Sequence, residues 1–124
     1  MTTTAKTMTT QEVATKLVSM CRKGQILEAQ QELFSDNVTS HEPAHSPIPP
    51  AIGKEAVLTK GKNFAAMIEK THSGYFSDAI IGGNYFSIVC KLDADLKGQG
   101  RVVWDEICVF GVKNGEIISE QFYY

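Results

Sequence analysis

The residues with the clearest chemical potential lie in the stretch 37–50, NVTSHEPAHSPIPP, which holds two of the three histidines and all four prolines of the chain. His41, Glu42 and His45 form the pattern H-E-x-x-H, which binds zinc when a helix places both imidazoles on one face. Pro43 interrupts the pattern, and a proline inside a helix removes a hydrogen bond and clashes with the preceding turn. The sequence therefore predicts no metal site here, and Glu42 becomes the group of interest.

The cysteines offer a second kind of chemistry. Cys21, Cys90 and Cys108 are odd in number and far apart, and no C-x-x-C pair occurs. This spacing argues against zinc-ribbon and thioredoxin-like sites. Scattered, unpaired cysteines favour reduced thiols in the cytoplasm, most of them buried as small hydrophobic side chains.

The composition is that of one soluble globular domain. Of the 124 residues, 43% are hydrophobic and 21% charged, and the formal net charge is −2. Without clustered lysine and arginine we expect no nucleic-acid surface, and no apolar run is long enough to cross a bilayer. The first ten residues, MTTTAKTMTT, lack the apolar core of a secretory signal. We expect a flexible tail over residues 1–8 and a single domain over residues 9–124.

Helical signals dominate the first part of the chain. Thr9 or Thr10 is a candidate N-cap, with Glu12 near the capping-box position, and Gly24 ends the first helix. A second short helix follows over residues 26–34. We expect these two helices to pack one apolar face on a sheet.

The middle of the chain alternates between turn, strand and helix. Residues 35–37, Ser-Asp-Asn, are typical of a turn. A short strand over residues 38–42 then precedes a proline-rich loop at residues 44–51. A long third helix is predicted through the stretch GKEAVLTKGKNFAAMIEKTH, residues 53–72.

The C-terminal half is rich in strand residues. Four runs, YFSDAII, GNYFSIVCKLDADL, RVVWDEICVFGV and EIISEQFYY, are separated by short turns that contain glycine. Asn114-Gly115 between two of them is a strong hairpin signal. The predicted order is α-α-β-α-β-β-β-β, an α+β fold in which three N-terminal helices cover one face of a curved, mixed and mainly antiparallel sheet.

Strand alternation sorts the side chains of these runs into two faces. The even positions from Phe86 to Ala94 are all apolar and should face the helices. Glu106 interrupts a similar apolar row in the next run, and Glu120 shares the parity of Ile118. The other face is also rather apolar, and we expect a homodimer to cover it.

At this point the chain resembles the nuclear-transport-factor-2-like (cystatin-like) superfamily, within it the SnoaL-like and ketosteroid-isomerase-like branch. The resemblance extends over residues 11–124 and includes the tripeptide HEP after the second helix, GKEAV opening the third, and NGEI before the last strand. It implies a cone-shaped fold in which Glu42, directly before a proline, is the general-base carboxylate. The histidine before it, His41, is frequent in SnoaL-like sequences, although strand parity points it away.

The chain also departs from the isomerase-like pattern. The position of the oxyanion-donating tyrosine falls near Leu17, and the position of the acidic partner in SnoaL-like cyclases falls on Cys108. A thiol is a weak hydrogen-bond donor. A steroid isomerase in the strict sense is therefore not expected, and Glu106 in protonated form is an alternative polarising group.

Two functions remain open. The first is a cofactor-independent isomerase, cyclase or dehydratase acting on a small apolar carbonyl compound by general acid–base chemistry, with no metal. The second is a non-catalytic module of the same fold that binds a small hydrophobic ligand or a protein partner. The candidate catalytic residues are Glu42, Glu106 and Cys108, and the candidate ligand-binding residues are His41, Trp104, Phe110, Glu120 and Phe122.

Overall fold

The computed structural model describes residues 7–124. The tail predicted for residues 1–8 therefore lies mostly outside the described residues. Of its last two residues, Met8 is partly buried and packs against the hydrophobic core. Within the described part of the chain, no helix is long and apolar enough to cross a membrane.

The first helix, α1, spans Thr10–Arg22 and begins with a complete capping box. The backbone N–H of Glu12 donates to Oγ1 of Thr9 at 3.1 Å, and the N–H of Thr9 donates to the carboxylate of Glu12 at 2.9 Å. These bonds satisfy two donors that the helix cannot satisfy itself. Thr9 is thus confirmed as the N-cap.

The second helix, α2, spans Ile26–Leu33 and runs directly into the first strand, β1, Phe34–His41. The prediction of a turn at residues 35–37 was wrong. Leu33 and Phe34 are both buried, so the core holds the junction between helix and strand. The pairing of β1 with the last strand shifts register between Phe34 and Thr39, which accommodates the turn-forming residues as an irregularity within the strand.

A two-residue strand, β2, Ala51–Ile52, was not predicted. It pairs antiparallel with β1, placing Ala51 opposite Ser40. The N–H of Gly53 donates to the carbonyl of Val38 at 2.8 Å. These contacts fold the proline-rich loop back onto β1.

The third helix, α3, spans Lys54–Met67, and β3 follows at Ile68–Phe76. The helix predicted as far as residue 72 is therefore too long. Ile68 pairs with Leu96, and backbone pairing with the adjacent strand continues to Phe76. Tertiary pairing prevails there over the helical preference of individual residues. The run YFSDAII is divided between the end of β3 and β4, Ile80–Gly82.

The remaining strands are β5, Tyr85–Leu96, β6, Gly100–Lys113, and β7, Glu116–Tyr123. Asn114 and Gly115 have φ values of 52° and 76°, as the predicted two-residue hairpin requires. The sheet order is β2-β1-β7-β6-β5-β3, with β4 also paired to β5. The β1–β7 pair is parallel and the others antiparallel, which confirms the mixed α+β fold.

The inward faces of β5 and β6 are those predicted from the alternation: Phe86, Ile88, Cys108 and Phe110 are buried. In β7 the alternation breaks. Ile117 is buried, Ile118 is exposed and Glu120 is again buried. A register shift between the pairs Gly111–Ser119 and Val112–Ile117 leaves Ile118 as an extra residue. Glu120 therefore points inward, although Ile118 does not.

Candidate functional site

Glu42 lies at the end of β1, where Pro43 prevents further pairing. Successive side chains of a strand point to opposite faces, so Glu42 lies on the same face as Ser40. Ser40 is fully buried, and the side chain of Glu42 is 10% exposed. The predicted carboxylate is thus directed into the concave side of the sheet.

Lys60, on α3, is the cation that faces Glu42. Its Nζ atom lies 3.2 Å from Oε1 of Glu42 and donates to Oγ of Ser40 at 3.0 Å. The same ammonium lies 5.1 Å from the centroid of the Phe122 ring, within cation–π range. Lys60 is therefore held by a carboxylate, a hydroxyl and an aromatic face.

Sequence reasoning missed Lys60, although a signal was present. Lys60 follows Val57 by three residues and precedes Phe64 by four, and these spacings place all three on one helix face. A lysine on the inward stripe of a helix implies a partner in the interior.

The second oxygen of Glu42, Oε2, is buried and has no hydrogen-bond partner among residues 7–124. A buried carboxylate oxygen without a partner costs free energy, so such atoms are uncommon in folded proteins. Oε2 is thus the acceptor of Glu42 that Lys60 does not occupy, and solvent does not reach it in this conformation.

Glu120 lies deeper, with 4% of its surface exposed. Burial raises its pKa from 4.5 to about 7, while the Ser40 hydroxyl and the Lys60 charge oppose the rise. The charges of Glu42 and Glu106 raise the pKa further. Ser40 accepts a hydrogen bond from Lys60 and is paired with Glu120 across β1 and β7, so its hydroxyl lies close to both groups.

Glu106 is half-buried on β6. Burial raises its pKa from 4.5 to about 7, and the negative charge of Glu42 adds to the rise. The thiol of Cys108, with Sγ 3.7 Å from Oε1 of Glu106, lowers the pKa, as does Lys60. A carboxyl group in this state can donate a hydrogen bond near neutral pH, whereas a fully ionised one cannot.

The three cysteines are free. The thiol of Cys108 lies 3.5 Å from that of Cys90, and this hydrogen bond, followed by burial, raises the pKa of Cys108. Burial also raises the pKa of Cys21 to about 12, with the charges of Cys90 and Glu120 as further causes. A protonated thiol is a poor nucleophile, so these surroundings do not favour Cys108 as one.

The three aromatic candidates are buried to different degrees. Phe110 is buried and stacks on Phe86, with ring centroids 4.9 Å apart. Trp104 is half-buried and packs edge-to-face with Phe64, with ring centroids 5.1 Å apart. Phe122, also half-buried, lies beneath the Lys60 ammonium.

His41 is not part of this cluster. Its Nε2 atom lies 3.1 Å from Oγ1 of Thr39, two residues earlier in β1. Both side chains lie on the face opposite Ser40 and Glu42, because the strand alternates.

The concave face becomes more open along the β5–β6 pair. The cross-strand pairs Phe86–Phe110 and Ile88–Cys108 are buried, whereas Cys90–Glu106 and Leu92–Trp104 are half-buried. The partly open section of this face is limited to these two pairs, because Ala94 and Leu96 beyond them are buried. The structure brings together Glu42, Glu106, Glu120 and Phe122 around Lys60.

Solved structures with the same fold include proteins with enzyme-like names. A structure from Mesorhizobium loti, named "putative SnoaL-like polyketide cyclase", is 31% identical, with a TM-score of 0.88 over 94% of this chain and 100% of that one. A hypothetical protein with a ketosteroid isomerase-like fold from Catenulispora acidiphila, solved in complex with trimethylamine, is 23% identical, with a TM-score of 0.71 over 94% and 87% of the two chains. A "putative isomerase" from Bacillus subtilis is 16% identical, with a TM-score of 0.74 over 94% and 88%. The last two structures are similar to this chain in fold alone.

The family comparison covers nearly the whole chain. The model of the SnoaL-like domain matches residues 8–124. A comparison with proteins of curated function finds no match. With its cone of helices and mixed sheet, and a family match over nearly its entire length, this chain belongs to the SnoaL-like domain family.

Proposed function

We propose that this protein is a cofactor-independent enzyme that moves a proton on a small apolar carbonyl compound inside the cone, as an isomerase, cyclase or dehydratase does. The observation that carries this proposal is the state of Glu42: Lys60 holds one oxygen, and the other is buried with no hydrogen-bond partner in the described part of the chain. A general base must be fixed in place and must keep one lone pair free for the proton that it removes.

Glu42 is the base in this mechanism. The contact with Lys60 fixes the direction of the carboxylate, and the neighbouring Trp104 and Phe122 offer an apolar wall for the substrate. Removal of a proton next to a carbonyl leaves negative charge on the carbonyl oxygen, which must be stabilised.

Glu106 is the group that stabilises this oxygen. Because its pKa is raised to about 7, part of the population carries a proton that can be donated to the substrate oxygen. Cys108, beside it, is a weaker donor. Glu120 is too deeply buried to touch a substrate, and we assign to it a positioning role through Ser40 and Lys60.

The second candidate is a non-catalytic module that binds a small hydrophobic ligand. The half-buried rings of Trp104 and Phe122 favour it, because aromatic surface of this kind binds an apolar ligand without any proton transfer. In this alternative the aromatic side chains hold the ligand, and Oε2 of Glu42 accepts a hydrogen bond from it.

Deuterium exchange distinguishes the enzyme from the non-catalytic binding module. A panel of cyclic and open-chain ketones and 1,3-diketones would be incubated in D₂O and the α-carbon protons followed by NMR. The enzyme proposal predicts exchange above the buffer rate for at least one compound, and loss of that exchange in Glu42→Gln. Glu55→Gln, an exposed change on α3, is the matched control. Saturable binding without exchange would support the binding module.

A homodimer also remains part of the proposal. The outer face of the sheet exposes Tyr85, Val103, Ile107 and Tyr123. Charges of both signs lie among them on β5 and β6, which allows the face to match a second copy of itself about a two-fold axis. We place the protein in the cytoplasm because its three thiols are free, as a reducing compartment keeps them.

A further inference from the structure

Two thiols and one carboxylate meet on the concave side of the β5–β6 hairpin. Sγ of Cys108 lies 3.5 Å from Sγ of Cys90 and 3.7 Å from Oε1 of Glu106. One donor atom from each of the three residues lies within 4.8 Å of the other two. The three cysteines looked scattered in the sequence, and the fold brings two of them into contact.

These separations are those of metal ligands. With zinc–sulfur bonds of about 2.3 Å and zinc–oxygen bonds of about 2.0 Å at tetrahedral angles, the two sulfurs would be about 3.8 Å apart and sulfur and oxygen about 3.5 Å apart. The observed values of 3.5 Å and 3.7 Å differ from these by only a few tenths of an ångström. The third separation, between the donor atoms of Cys90 and Glu106, is within 4.8 Å, so these two side chains would move by up to about 1 Å to bind an ion.

The backbone holds the three donors rigidly. Cys90 and Glu106 face each other across the antiparallel β5–β6 ladder, and Cys108 lies two residues beyond Glu106 on the same face. These strands are the two longest of the sheet. Cys90 and Glu106 are half-buried, so an ion can reach them from the open side of the cone.

We propose that Cys90, Cys108 and Glu106 form a binding site for a thiophilic divalent cation such as Zn²⁺ or Cd²⁺, with a fourth coordination position open toward the cone. Each thiol gives its proton to the solvent when its sulfur binds the ion. Thiolate ligands select soft cations over Mg²⁺ and Ca²⁺. The site does not depend on the acid–base activity, and a bound ion would compete with the role of Glu106 as hydrogen-bond donor.

Cadmium titration of the full chain, reduced with a non-chelating phosphine, tests the site. Binding of one Cd²⁺ should give a saturable ultraviolet thiolate-to-metal charge-transfer band. Cys90→Ser and Cys108→Ser should abolish it, and Glu106→Gln should weaken the affinity by at least roughly tenfold. Cys21→Ser, which removes the third thiol but no proposed ligand, should retain the band and is the matched control.

Measurements on the unaltered protein avoid dependence on how the variants fold. The ¹¹³Cd NMR shift of the complex should be that of two sulfur ligands, and Zn²⁺ should displace Cd²⁺ with a stoichiometry of one. Absence of the band, or its persistence in Cys90→Ser or Cys108→Ser, would overturn the proposal. A ¹¹³Cd NMR shift typical of oxygen ligands alone would also overturn the proposal. Because no substrate is used, these outcomes are independent of the exchange experiment with Glu42→Gln.

Discussion

Lys60 Nζ lies 3.2 Å from Oε1 of Glu42, and this contact joins α3 to the end of β1 at the centre of the carboxylate cluster. The lysine side chain is 22% exposed and the glutamate side chain 10% exposed, so water screens the pair only partly. The pair fixes a carboxylate whose second oxygen is buried and has no hydrogen-bond partner among residues 7–124. Several consequences of this arrangement can be measured.

Lys60→Met should destabilise the protein by about 2–4 kcal/mol, because it leaves the buried Glu42 charge without a partner. Urea unfolding measures this loss. The double variant Lys60→Met/Glu42→Gln should recover much of it, since the charge is then also removed. Lys62→Met, at an exposed position of the same helix, is the control and should change the free energy of unfolding by less than about 0.5 kcal/mol. Equal stability of Lys60→Met and the parent would contradict a structural role for the ion pair.

The stability of the protein should fall as the pH rises through neutrality, because Glu120 has a higher pKa when folded than when unfolded. Its contribution is fully present below pH 4.5 and is lost as the pH rises toward about 7. The difference between these values corresponds to roughly 3 kcal/mol. Glu120→Gln should therefore reduce the slope of the pH profile of unfolding, leaving the part that Glu106 contributes, and stabilise the protein at pH 8. The exposed change Glu116→Gln should leave the profile unaltered, and a parent profile that is flat from pH 5 to 8 would refute the raised pKa.

Val103→Lys should prevent dimer formation, because Val103 is 70% exposed on the outer face and two like charges would meet or be desolvated at the interface. Sedimentation velocity at micromolar concentration should show a dimer for the parent and a monomer for the variant. Thr59→Lys, an exposed change on α3, should remain dimeric. A monomeric parent would remove the dimer from the proposal.

Thr9→Ala should cost about 1 kcal/mol of stability, since it removes the side-chain acceptor for the N–H of Glu12. Thermal unfolding should show a lower midpoint, and Thr9→Ser should restore most of the loss. If Thr9→Ser were as unstable as Thr9→Ala, the cap would not be the cause.

Local chemistry explains which elements could be predicted from the sequence. The capping box at Thr9 and Glu12 and the hairpin at Asn114-Gly115 depend on residues a few positions apart, and both are present as predicted. The predictions of a turn at residues 35–37 and of a helix end at residue 72 were wrong. Both element boundaries are set by strand pairing with residues that are distant in the chain, and a local sequence pattern does not indicate which distant residues will pair.

Among the residues of the candidate site, too, some orientations could be predicted from local patterns and others could not. Alternation along a strand has a period of two, and it placed Glu106 and Cys108 on the inner face correctly. For Glu120 the reasoning through Ile118 failed, because the extra residue in β7 reverses the parity between them. The inward position of Glu120 is nevertheless what the structure shows.

By itself the sequence determined the fold class, the inner faces of the longest strands and the position of Glu42 at a strand end. Those features follow from hydrophobic periodicity and from proline, which act over a few residues. Only the tertiary structure decided that Lys60 faces Glu42, that Ser40 contacts Lys60 and pairs with Glu120, and that Cys90 touches Cys108. Each of these contacts joins residues at least 18 positions apart in the chain, and their proximity depends on how helix and strands pack around a common core.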